Sequence, residues 1–190
     1  YRIPPGVERD RDVTSAISRQ LNEQSVQVCV ENLEDGDARA IFKNVGVDLF
    51  NYGRIKMYLH ANSFSQDDEL SAFLRLGTDF DQNYYEIEIP LKVSDHTIQD
   101  PSAREVWPEE NEIDLDLNEL YALKATRDRE RFPAGELYPR EGGKQAGRHL
   151  IRIVGRPDLS SVQLMMIGVR NTKSADRRSH SVCLWANELR

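Results

Sequence analysis

Glu86 and Glu88 stand two residues apart in the run Tyr84-Tyr-Glu-Ile-Glu-Ile-Pro90. On an extended strand such a pair shares one face, about 7 Å apart. At that distance two carboxylates can divide acid and base roles, as they do in glycoside hydrolysis. The plainer reading is a solvated strand face opposite a buried one, and it is the one we take. Asp79, Asp81 and Asn83 place side-chain oxygens at alternate positions, as a calcium loop does. The EF-hand glycine and the closing glutamate are missing, since the twelfth position is Pro90. Calcium would therefore need a non-EF site in a turn. Asp35, Asp37 and Glu188 form a second candidate set, provided that loop and last strand meet. Tyr58, Tyr84 and Trp107, with Trp185, could stack on a sugar ring if they line an open sheet face, although aromatics on strands more often pack.

Nothing else reads as catalytic. The chain has no phosphate-loop glycines, no G-x-S-x-G, no H-E-x-x-H and no C-x-x-C. His60, His96, His149 and His180 share no ligand spacing. The expectation is a protein that is not an enzyme and has no cofactor, with calcium the one candidate.

The elements that would hold these residues alternate with a two-residue period. Leu70, Ala72, Leu74 and Leu76 face one way in the first strand of a hairpin. Tyr85, Ile87, Ile89, Leu91 and Val93 share a face in the second, after a turn over 77–83 rich in Asp, Asn and Gly. Similar alternation marks strands over 26–31, 38–49, 54–62, 150–154, 162–170 and 182–187. The stretch 162–170 is apolar on both faces, which predicts a central strand covered on both sides.

Residues 1–24 read as an extended lead-in with a helical turn near 15–21. Residues 94–147 break the rhythm with prolines and acids and form a long insertion. One helix is expected in it, over 116–127. Asp116 would cap it with Glu119 in a capping box, Leu117, Leu120, Tyr121 and Lys124 would form one stripe, and Arg127 would add positive charge near its end. The whole predicts a mainly β, antiparallel sandwich over 25–190. A jelly roll of the galactose-binding or carbohydrate-binding-module kind suits the strand number.

At 190 residues, one domain is the default. Both ends read as cut from something larger, and no run is apolar enough for a spanning helix. The net charge of −7 argues against nucleic acid as a partner. Residues 1–123 carry 11 basic and 25 acidic side chains, whereas 124–190 carry 14 and 7, so oppositely charged segments should lie side by side. Cys29 and Cys183 fit no metal spacing. Unpaired, partly buried thiols are expected, with a disulfide as the alternative in an oxidising compartment.

Several segments, read in order, resemble one family. They are Pro5-Gly-Val-Glu-Arg9, Asn22-Glu-Gln-Ser25, Gly36-Asp-Ala-Arg-Ala40, Tyr84-Tyr-Glu-Ile-Glu-Ile-Pro-Leu91, Val106-Trp-Pro-Glu-Glu-Asn111, Met166-Ile-Gly-Val-Arg-Asn171 and Leu184-Trp-Ala-Asn-Glu-Leu-Arg190. The set is similar to the SprA/Sov family, the giant outer-membrane translocons of type IX secretion and gliding motility. The resemblance implies a non-catalytic interaction domain at the cell surface or in the periplasm. It implies translocon subunits or secreted cargo as partners, and brings no catalytic residues with it. A glycan-binding jelly roll is the alternative.

Overall fold

The structure, a computed structural model, describes residues 2–7, 11–12, 19–20 and 25–190. Its strands are β1 (Arg11–Asp12), β2 (Arg19–Gln20), β3 (Val26–Leu33), β4 (Ala38–Val47), β5 (Arg54–Ser63), β6 (Leu70–Gly77), β7 (Tyr84–Pro90), β8 (Ile113–Asp116), β9 (Lys144–Ala146), β10 (His149–Val154), β11 (Val162–Asn171) and β12 (His180–Asn187). Among the described residues two α-helices accompany them, α1 (Ala103–Val106) and α2 (Asn118–Arg129), with 3-10 turns at Glu109–Asn111 and Leu159–Ser161. Most of the expected turn near 15–21 lies outside the described residues. Within it, Arg19–Gln20 pairs as strand with Arg11–Asp12.

Every ladder between these strands is antiparallel. Six strands form one sheet in the order β4-β11-β6-β7-β10-β9, and four form another, β3-β12-β5-β8. The hairpin β6–β7, which alternation predicts, holds the two middle places of the larger sheet. Gly77 is what lets it close, because a Cβ there would lie 2.0 Å from the Asn83 carbonyl oxygen.

The two sheets share one core. Met57, Leu59 and Ala61 of β5 and Leu184 of β12 belong to the same buried cluster as Leu74 of β6, Ile87 and Ile89 of β7 and Ile151 of β10. Removing such side chains from water is the main stabilising term, on the order of 1.5–3 kcal/mol each.

Four expectations need correction. The insertion over 94–147 is not only loop and helix, for it supplies an edge strand to each sheet: β8 pairs with β5, and β9 with β10. Helix α2 starts at Asn118, and Leu117 occupies the cap position with no side-chain cap. Asp116 still accepts from the Asn118 amide at 2.9 Å, but Glu119 pairs with Lys144 at 3.6 Å instead of closing a capping box. Arg127 turns inward, fully buried, and donates to the Gly155 carbonyl, so it is no surface charge.

The cysteines are joined. Cys29 and Cys183 form a disulfide, their Cα atoms 4.0 Å apart. The ladder between β3 and β12 sets them directly opposite, which is the close approach a cross-strand bridge needs. Finally, β11 is central and its inner face lies in the core, but its outer face is covered only in part: Leu164 and Gly168 are buried, and Met166 and Arg170 are half-buried. Val162 and Val169 lie in the core, whereas Arg170, opposite Ser71, belongs to the outer face.

Candidate functional site

The outer face of the six-stranded sheet gathers the charged residues. On β7, Tyr85, Ile87 and Ile89 point into the core, so Tyr84, Glu86 and Glu88 point away from it. Register then fixes their neighbours. Glu86 stands opposite Arg75 of β6 and Arg152 of β10, and Glu88 stands opposite Phe73 and Leu150. Arg170 comes from β11 on the far side of β6.

Both carboxylates are enclosed by arginine. Glu86 accepts from Arg75 Nε at 2.8 Å, Arg152 Nη1 at 2.7 Å and Arg170 Nη2 at 3.2 Å. Glu88 accepts from Ser71 Oγ at 2.5 Å and from Arg152 and Arg170. With side chains only 2% and 6% exposed, Glu86 and Glu88 are not the solvated face their polar character suggests. Burying charge without partners would be prohibitive, and the arginine cage is what makes it tolerable. Burial alone would raise the Glu88 pKa. The Ser71 hydrogen bond and the charges of Arg170 and Arg152 outweigh it and hold the group below the usual carboxylate range.

The guanidinium groups also cover the aromatic rings. Arg75 Cζ lies 4.2 Å from the Tyr84 ring centroid and Arg170 Cζ lies 4.9 Å from that of Phe73. Gly168 makes room for this layer, since a Cβ there would come within 2.5 Å of Phe73 Cζ. Loops raise the walls. Leu137, Arg140 and Gly142 stand on one side, held to β10 by reciprocal 2.9 Å bonds between the backbones of Tyr138 and Ile153. Thr172 and Lys173 stand on the other, and the open pocket between them measures about 650 Å³.

The remaining sequence-derived candidates fall elsewhere. Tyr84, Tyr58 and Trp107 are 7%, 6% and 2% exposed, so none presents an open ring face. Tyr58 and Trp107 lie together on the four-stranded sheet, with ring centroids 6.5 Å apart, far from Tyr84 in the fold. They fasten the start of the chain: Tyr58 Oη donates to the Pro5 carbonyl and Trp107 Nε1 to the Arg2 carbonyl, each at 2.8 Å. Trp185 joins their cluster through His60, at 5.0 Å.

The turn 77–83 uses its own oxygens. Asp79 Oδ1 accepts from the amides of Asp81, Gln82 and Asn83, and Oδ2 from the Asn83 side chain. Burial would raise the Asp79 pKa, but these bonds bring it down to about 2. Asn83 Oδ1 in turn accepts from the Arg156 amide at 3.0 Å. In the second calcium set, Asp35 accepts from Ser174 and Asp37 pairs with Arg39. Glu188 follows the end of β12 that pairs with Val26, whereas Asp35 follows the opposite end of β3, so the three do not meet. Among the described residues no group of three or more His, Cys, Asp or Glu is placed to hold a metal ion.

Sequence reasoning found the two glutamates but missed Ser71, Arg75, Arg152 and Arg170. Two signals were available: the hairpin alternation sets Ser71 and Arg75 on the face away from Leu70, Ala72 and Leu74, and the charge split places Glu86 and Glu88 in the acidic part of the chain and Arg152 and Arg170 in the basic part.

Two antiparallel sheets around one core, with an ion-paired pocket on the outer face of the larger, define the chain as a two-layer β domain. A family model described as motility related/secretion protein, SprA_N, matches residues 1–190, and the chain belongs to that family. It is thus a motility- and secretion-related domain. No curated protein matches it. Among the described residues no helix is long and apolar enough to cross a membrane.

Proposed function

We propose that this chain is a non-catalytic interaction domain of an outer-membrane secretion translocon of the type IX, gliding-motility kind, docking translocon subunits or secreted cargo. The observation that carries the reading is the state of Glu86 and Glu88. A general acid must keep a proton near neutral pH and reach its substrate. Here six hydrogen bonds from arginine and one from serine converge on the pair, and the pKa of Glu88 is pushed down. Such a cluster holds a surface in shape; it does not donate protons. No cofactor enters the reading.

Other features agree. Consecutive strands β3 to β6 alternate between the two sheets, as the strands of a jelly roll do. The Cys29–Cys183 bridge suits an oxidising compartment such as the periplasm or cell surface. Long loops on a rigid sheet are a common place for recognition. The glycan-binding alternative is less well supported, since arginines cover Tyr84 and Phe73 and the N-terminal segment engages Tyr58 and Trp107.

The test is a pull-down with the chain against outer-membrane and secreted proteins, run beside a glycan array. Capture of a protein of the secretion machinery, with the array silent, is the expected result. Saccharide binding lost in Tyr84→Ala, or glycoside hydrolysis abolished by Glu86→Gln, would overturn the proposal.

A further inference from the structure

The pocket over β7 carries more positive than negative charge, although the chain as a whole is acidic. Its lining includes Arg75, Arg140, Arg152, Arg170 and Lys173 against Glu86 and Glu88. Glu136 on the rim pairs with Arg140 at 2.6 Å, which leaves a surplus of two cations in a protein of net charge −7. Lys173 is the least committed of them. Its stem lies across the β3–β4 turn, where a Cβ on Gly36 would come within 2.8 Å of its Cγ and Cε. Its ammonium has no hydrogen-bond or ion-pair partner among the described residues. Arg75 and Arg152 each keep one terminal nitrogen, Nη2, beyond the bonds they give the glutamates and nearby carbonyls.

Guanidinium forks fixed by buried glutamates are already ordered, so they lose little entropy on meeting a carboxylate. The same arginines cover the aromatic rings that a sugar would need to stack on. Resting on the interaction-domain reading, we infer that this pocket receives the carboxylates of an acidic peptide segment presented by a protein partner. Lys173 and Arg140 guide the segment in at the rim, and Arg75 and Arg152 pair with it at the floor.

The experiment is a calorimetric titration of the 190-residue chain with a poly-glutamate decapeptide at low salt, with poly-lysine, inorganic phosphate and an oligo-uronate as parallel probes. The expected result is saturable, salt-sensitive binding of poly-glutamate alone. It should weaken about tenfold in the pair Lys173→Glu, Arg140→Glu, as close reversed charges predict, with the melting temperature unchanged. Lys173→Arg should retain it, which separates lost charge from lost fold. Absence of poly-glutamate binding, equal binding by the double variant, or tighter binding of phosphate or uronate would overturn the inference. If the pull-down partner binds the double variant as well as wild type, the interaction reading stands and the pocket's role falls.

Discussion

Glu86 shows how a residue can be placed correctly and read wrongly. Its position on the face away from the core follows from alternation, but exposure does not. Of the three arginines that bury it, Arg75 stands across the hairpin, but the other two lie 66 and 84 residues further along the chain, beyond the reach of any local pattern. Removing one partner of a buried charge cluster strands the others. Glu86→Ala should therefore lower stability by about 3 kcal/mol, the low end for buried pairs because the arginines keep some solvent; chemical denaturation measures it. Two histidines set the pH response. Burial lowers the pKa of His60 despite its bond to the Val106 carbonyl, and that of His149 despite its bond to Ala146. A group with a depressed folded pKa takes up its proton more readily when unfolded, so stability falls as pH drops below the usual histidine value of 6.5. Glu88, also depressed, adds a second loss below its ordinary 4.5. Melting temperatures from pH 8 to 4 should show a plateau and then two declines, and His149→Gln should shrink the first.

At the scale of elements, long alternating runs were legible and short ones were not. Strands β6, β7 and β11 follow directly from their side-chain periods. Strands β8 and β9, four and three residues long, offer too little sequence for a period to register. They exist because β5 and β10 present open edges that the insertion can pair with. Helix α2 follows from its pattern, and Leu117, Leu120 and Tyr121 of its expected stripe pack on the core, but that stripe omits Leu123 and Arg127. Leu120, Leu123 and Arg127 are buried, and the long arginine reaches the Gly155 carbonyl that no helical pattern could have foreseen. Leu120 is fully buried in the shared core, so Leu120→Ala should cost about 2–5 kcal/mol, measurable by urea unfolding. A loss much below that would mean that the insertion packs loosely and does not brace the pocket wall.

For the whole molecule, the disulfide and the charge distribution tie distant segments together. The Cys29–Cys183 bridge spans 154 residues of sequence, so it encloses most of the chain. The sequence left it open because pairing depends on the β3–β12 register, which only the fold supplies. Cys29→Ser with Cys183→Ser should lower stability by about 2–5 kcal/mol, and reductant should bring the wild-type melting temperature down to that of the variant and leave the variant's unchanged. The acidic early residues and basic late ones do lie together: Arg152 and Arg170 meet Glu86 and Glu88, and Lys144 meets Glu119. The central claim is that the ion-paired face of the larger sheet is where this domain meets a protein. Site-directed photo-crosslinking in the cell tests it most directly, with the probe at Leu137 or Thr172 on the pocket rim and, as control, at Gln27 on the four-stranded sheet. The account predicts a discrete adduct with a secretion or motility protein from the rim positions and none from Gln27. Equal adducts from both faces, or adducts from Gln27 alone, would contradict it.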